Sequence, residues 1–265
     1  MEPFDTQKYG TTAQDVTFCE IDGQKLKMDV YYPSSGGPWP CLIFVHGGGW
    51  SEGDKAPLAV IPTEAGILVV SINYRMYPAY RFPAMIEDVK CAIRSLRANA
   101  AEYNLDPERI ALVGHSAGAH LAALAGLADD SAGWDTGPYL EQSSRVQAVV
   151  ALSAPFDLTC SFSAWVTELI ENVFGADQRL SASPVSHVRK DAPPFLIIHG
   201  EADDVAPVEQ AHLLHNALTH AGAQSQLVIM KNAGHGFEPV GGPVAPSMEQ
   251  TFGTILGFLA NTLRL

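Results

Sequence analysis

The sequence predicts an α/β fold: an eight-stranded, mostly parallel sheet with helices on both faces. Three observations lead there. Eight short β-rich apolar runs punctuate the chain, and from the third onward helical patterns separate them. Hydrophobic residues make up 47% of the 265 against 17% charged, the balance of a chain whose sheet is covered on both sides. Strands alternating with helices in right-handed crossovers give a parallel sheet.

The elements follow in order. Runs 16–21 and 26–32 are separated only by a short connection around Asp22-Gly23-Gln24, so they are expected to pair as an antiparallel hairpin at the sheet edge. Run 41–45 precedes a short helix near 56–65, and run 67–72 a long helix over 83–103. That helix has Pro83 in its first turn, Glu87 and Asp88 early, Arg94 and Arg97 late, and a stripe of Met85, Val89, Ile93 and Leu96. Run 110–113 leads directly into a helical stretch at 117–127. Strands are then expected at 146–152, 195–198 and 226–230, with helices at 208–221 and 247–263. Segment 157–194 breaks the alternation and carries an amphipathic pattern at 164–174, which suits a small lid. No repeat or linker divides the chain, so residues 1–265 read as one domain.

The formal net charge of −13 argues against nucleic acid or an anionic membrane surface as a partner and favours small neutral molecules. A homo-oligomer stays open. Met1-Glu2-Pro3-Phe4-Asp5 lacks the basic and apolar regions of a secretory leader, so the expected location is cytoplasmic. Cys19, Cys41, Cys91 and Cys160 are widely spaced without a C-x-x-C pair, which predicts four free thiols. His212 and His215 are expected to face solvent on a helix, and no histidine, cysteine and carboxylate cluster reads as a metal site.

The chemistry concentrates in four places. Gly114-His115-Ser116-Ala117-Gly118 is a G-x-S-x-G pentapeptide between a strand and a helix, the setting of a serine nucleophile on a sharp turn. A serine hydroxyl is a poor nucleophile at neutral pH, so it needs a base, a group that orients the base and an oxyanion site. His46-Gly47-Gly48-Gly49-Trp50 follows a strand, and its glycines leave backbone N–H groups free for an oxyanion. Gly48, Gly49 and Ala117 are the expected donors, with His46 ordering the loop. Asp203, just beyond run 195–198, is the expected orienting carboxylate, with Asp204, Glu201 and Asp157 as competitors. His235, flanked by glycines after the last strand, is the expected base. Trp50, His115, Phe156, Phe162, Trp165, Val205 and Phe237 lie beside these motifs and are candidates for the wall of a substrate pocket.

These residues give the chain a family resemblance. Residues 46–50, Asn73-Tyr74-Arg75-Met76 with Phe82-Pro83-Ala84, the 114–118 pentapeptide and the order Ser116, Asp203, His235 resemble α/β-hydrolase esterases of the hormone-sensitive-lipase-like and feruloyl/acetyl-xylan esterase-like groups. The resemblance covers nearly the whole chain. It implies an α/β-hydrolase fold and a serine carboxylesterase acting on small esters through an acyl-enzyme, without metal or cofactor. It also suggests an ion pair between Arg75 and Asp88. His115 replaces the acidic residue usual in hormone-sensitive-lipase relatives, and the short N-terminus leaves no room for their full cap. Both features favour a reduced lid and short acyl groups. An aryl-formamidase-like amidase would use the same constellation, and a non-catalytic receptor on the same fold is a further alternative.

Overall fold

The computed structural model describes residues 12–21, 23–55 and 60–265. Eight strands form one sheet: β1 (Thr12–Ile21), β2 (Gln24–Tyr31), β3 (Trp39–Val45), β4 (Leu68–Ile72), β5 (Leu105–His115), β6 (Ala148–Leu152), β7 (Phe195–Gly200) and β8 (Ser225–Met230). They lie in the order β1-β2-β4-β3-β5-β6-β7-β8. The β1–β2 hairpin is antiparallel and sits at the edge, β2 also runs antiparallel to β4, and every other pairing is parallel. Part of the expected hairpin turn, Asp22, lies outside the described residues.

Strand alternation divides the core in two. Ile43, Leu112 and Ile197 pack on one face with α2 (Ala84–Ala98), α3 (Ala117–Leu127) and α5 (Glu209–His220). Leu42, Ala111 and Leu196 face the other way, against α6 (Met248–Leu263) through Phe258, Leu259 and Leu263. Helix α6 starts at the Ser247 capping box, in which the Ser247 hydroxyl accepts from Gln250 N–H and the Gln250 side chain accepts from Ser247 N–H. The expected helix at 56–65 is present as α1 (Val60–Glu64), and residues 56–59 lie outside the described set.

Two expectations need correction. The long helix ends at Ala98 rather than near 103, because Asn99 closes it, donating its backbone N–H and side-chain amide to the Ser95 carbonyl. Two of the four cysteines are not free. Cys19 on β1 is joined to Cys91 on α2 in a disulfide with a Cα–Cα distance of 6.6 Å, which pins the edge hairpin to the helix beneath it. Spacing could not reveal this, since the partners are 72 residues apart. Cys41 and Cys160 are free.

Arg75 and Asp88 do pair. The Arg75 backbone N–H and Nε both donate to the Asp88 carboxylate, at 2.7 to 3.0 Å, and a terminal nitrogen reaches Glu87 at 3.0 Å. This buried cluster ties the segment after β4 to the start of α2, behind the glycine-rich loop.

Candidate active site

The carboxyl ends of β3, β5, β7 and β8 meet at one edge of the sheet, where α/β folds place their ligands. Ser116 occupies the turn between β5 and α3 with φ +55° and ψ −124°. Such a conformation costs a non-glycine residue on the order of 1–3 kcal/mol and persists only where the surroundings enforce it. Here the Ser116 N–H donates to the Leu152 carbonyl at 2.8 Å, and its carbonyl accepts from His120 N–H at 3.0 Å. A Cβ on Gly118 would strike the carbonyls of Val45 and His46, so only glycine lets α3 pass this close to β3.

Past β7, a tight turn brings Asp203 back beneath the sheet edge with no exposed side-chain surface. Its Oδ1 accepts the N–H groups of Val205 and Ala206, both at 2.9 Å. Burial pushes the carboxyl up, but hydrogen bonds from His199 and His235, the charge of His235 and the Ala206 N–H outweigh it. Asp203 is therefore held well below the usual carboxylate range. Asp157 serves its own turn instead, accepting from the Thr159 N–H and hydroxyl, while Asp204 and Glu201 are exposed.

His235 follows β8 in a loop closed by Gly234 N–H to the Glu238 carbonyl and by Gly236 N–H to the Glu238 carboxylate. Its Nδ1–H donates to Asp203 at 2.9 Å, and its Nε2 lies 2.9 Å from Ser116 Oγ, positioned to accept the hydroxyl proton. His115 Nε2 donates to the His235 carbonyl at 3.0 Å, latching this loop to the end of β5. Burial lowers the His115 pKa, outweighing the opposing hydrogen bond to the His235 carbonyl, which favours the neutral ring.

The glycine-rich loop crosses in front of Ser116. Gly48 has φ +106°, and its carbonyl accepts the N–H groups of Ser51 and Glu52. Among the described residues, no protein acceptor takes the N–H of Gly48 or Gly49. Ala117 opens α3, where a helix leaves its first N–H groups without an intrahelical acceptor. His46 is scaffold: its ring stacks on Tyr74 with centroids 4.4 Å apart, Nδ1 donates to the Gly47 carbonyl, and its own carbonyl accepts from the Tyr74 hydroxyl.

A cavity of about 490 Å³ opens onto Ser116 and His235 and is also bordered by Gly48, Gly49 and Ala117. Of the residues expected in its wall, Trp50, His115, Trp165 and Val205 line it. Phe156 and Phe237 do not. Phe156 is fully buried in the core on the α3 face, and Phe237 packs into the opposite core with its ring toward His115. Phe162 also packs against the first core and not along the cavity.

Segment 157–194 contributes helix α4 (Ala164–Gln178), whose regular turns end at Phe174 because Gly175 adopts φ +67°. Its buried stripe of Val166, Ile170, Val173 and Phe174 faces the molecule, while Trp165 and Leu169, one turn apart, border the cavity. Leu169 lies so close to the Gly49 Cα that a Cβ there would meet its methyl at 2.7 Å. The motifs did not mark Leu169, although its i+4 spacing from Trp165 places both on one face. Nor does the sequence mark a role for His199 or His120, since a single strand or helix histidine has no sequence signature.

The BD-FAE family model matches residues 28–218. The probable carboxylic ester hydrolase LipM of Mycobacterium tuberculosis is 38% identical over 189 residues, covering 66% of this chain and 44% of LipM. The chain spans about half the length of the curated relatives it matches. Among solved structures, a truncated carbohydrate esterase from gut microbiota superposes with a TM-score of 0.83 at 29% identity, covering 97% of this chain and 98% of that one. Esterase 2 of Thermogutta terrifontis with butyrate bound gives 0.81 at 27% identity, covering 96% and 95%, and the same enzyme has been solved phosphonylated by sarin. Because the matched family model covers residues 28–218, well over half of the chain, this chain belongs to the BD-FAE family, and with its likeness to the esterase structures it carries the α/β-hydrolase fold.

Proposed function

We propose that this protein is a serine carboxylesterase for esters of short carboxylic acids. The observation that carries the reading is the unbroken series of 2.9 Å contacts from Ser116 Oγ through the His235 ring to Asp203. In this reading Ser116 Oγ attacks the ester carbonyl carbon as its proton passes to His235 Nε2. The N–H groups of Gly48, Gly49 and Ala117 receive the oxyanion, and Asp203 holds the His235 tautomer and steadies the imidazolium. Collapse expels the alcohol, which takes the proton from His235 and leaves an acyl group on Ser116. Water then gives its proton to His235 and attacks the acyl carbon; collapse releases the acid and returns the proton to Ser116.

The acyl preference rests on bulk. Trp50 and Leu169 narrow the cavity beside the glycine loop, which suits acetyl to butyryl groups better than long chains. Relatives support both parts of the proposal: esterase 2 of Thermogutta terrifontis has been captured with butyrate and with propionate, and the sarin adduct is the product expected of a reactive nucleophile. A series of nitrophenyl esters from acetate to dodecanoate, run beside an N-formyl arylamide, tests the reading. Turnover highest at two to four carbons, with the amide far slower, is expected. A maximum at dodecanoate would reject the acyl preference, and preference for the formamide would move the protein to the amidase class.

A further inference from the structure

The His235–Asp203 pair has a third partner that no motif marks. His199, the fifth residue of β7, is completely buried. Its Nε2 lies 3.1 Å from Asp203 Oδ2 and 2.7 Å from the Ala206 carbonyl. Both neighbours are acceptors, so Nε2 carries a proton and donates. The opposite nitrogen, Nδ1, is buried without any hydrogen-bond partner. A strand position facing the core is ordinarily filled by an aliphatic side chain, and leaving a buried polar atom unpaired costs about 1–3 kcal/mol. A histidine kept in such a place has a task at its bonded end.

That task follows from the carboxylate. Asp203 Oδ1 takes two backbone N–H groups and shares the His235 proton, whereas Oδ2 has only His235 and His199. Without His199, Oδ2 would face His235 alone, with a more concentrated negative charge and one fewer donor to fix its orientation. We infer that His199 is a positioning residue that fixes the Asp203 carboxylate and moderates its pull on the His235 proton. The inference rests on the assignment of Ser116, His235 and Asp203 as the reacting relay.

The sign of the effect can be worked out. A neutral N–H donor disperses the Asp203 charge, so removing it strengthens the attraction of Asp203 for the imidazolium form of His235. The acid limb of the activity profile then moves upward. Other ionisable groups around the relay are His115 at the end of β5, the exposed carboxylates Glu201 and Asp204 on the β7 turn, Glu238 on the His235 loop and Glu52 at the cavity rim. All five are retained in each variant.

The test compares native protein, His199→Phe, His199→Gln and His199→Asn in kcat and KM for nitrophenyl acetate between pH 5 and 9, with Ser116→Ala as the control for the underlying relay. Gln reaches the Nε2 position with an N–H, whereas Asn stops near Nδ1. His199→Phe is expected to lose tenfold or more in kcat with KM within twofold and its acid limb raised by half a pH unit or more, while His199→Gln recovers to within threefold with the native profile. If Phe prevents folding, the Gln and Asn pair carries the test, with only Asn showing the loss and the shifted limb. An unshifted limb in both Phe and Asn, or identical profiles for Gln and Asn, would overturn the inference. Full activity in Ser116→Ala would instead overturn the relay itself.

Discussion

The Trp50 indole N–H donates to His120 Nδ1 across 3.2 Å, and His120 Nε2 donates onward to the Ala182 carbonyl at 2.8 Å. One fully buried ring thereby joins the glycine-rich loop, the helix after Ser116 and the 157–194 segment. Phe174 packs edge-on to both Trp50 and His120, sealing the junction from α4.

A pH-dependent stability follows from that ring. Burial pushes His120 down to about 4, although its bond to Ala182 pulls the other way. The unfolded chain takes up the proton near the ordinary value of about 6.5, whereas the folded protein refuses it until about 4. Stability attributable to His120 is therefore full above 6.5 and falls between 6.5 and 4, by roughly 3 kcal/mol at 1.36 kcal/mol per unit. Urea unfolding at pH 7 and pH 4 should show a smaller pH-dependent loss in His120→Gln than in the native protein. Equal losses in the two would contradict the account.

Leu169→Ala should enlarge the cavity next to Gly49. Turnover of hexanoate and octanoate nitrophenyl esters is expected to rise at least threefold relative to acetate, with global stability falling by about 1–3 kcal/mol because Leu169 is only half-buried. An unchanged chain-length profile would place the acyl group elsewhere in the cavity.

The Cys19–Cys91 bridge closes a loop of 72 residues, for which chain entropy gives about 4 kcal/mol of stabilisation. Paired substitution to Ala should lower the melting temperature by several degrees and abolish its sensitivity to dithiothreitol, while native protein loses a similar amount on reduction. A melting temperature indifferent to reductant in the native protein would show that the bridge is not formed.

On the proposed mechanism, Asp203→Asn should lower kcat by about 10⁴-fold, because an amide would no longer enforce the His235 tautomer that accepts the serine proton. Its stability effect has a defined pH window. The folded carboxyl is depressed, so its stabilisation is present above the unfolded value near 3.9 and fades as pH falls below it. The melting-temperature gap between native and Asp203→Asn should therefore narrow below about pH 4, and a gap that widens there would contradict the assigned direction.

The sheet, its edge hairpin and the convergence of residues 116, 203 and 235 were legible because each depends on local pattern: apolar runs of strand length, turn glycines, and motifs at strand ends. What escaped depends on distance in sequence. The bridge between Cys19 and Cys91 is set by the crossing of β1 over α2, and the seating of Leu169 on Gly49 by how α4 folds back over the sheet edge. Phe156 and Phe237 sit beside motif residues in sequence, yet a strand-end loop sends neighbouring side chains in opposite directions, and both ended in core. His199 and His120 are isolated histidines whose meaning comes only from the acceptors that the fold brings to them.

The most direct test of the central claim is labelling with a serine-directed fluorophosphonate followed by peptide mass spectrometry. The account expects a single stoichiometric adduct on Ser116, abolished in Ser116→Ala and slowed at least a thousandfold in His235→Ala. An adduct on another residue, or undiminished labelling and ester turnover in Ser116→Ala, would contradict it.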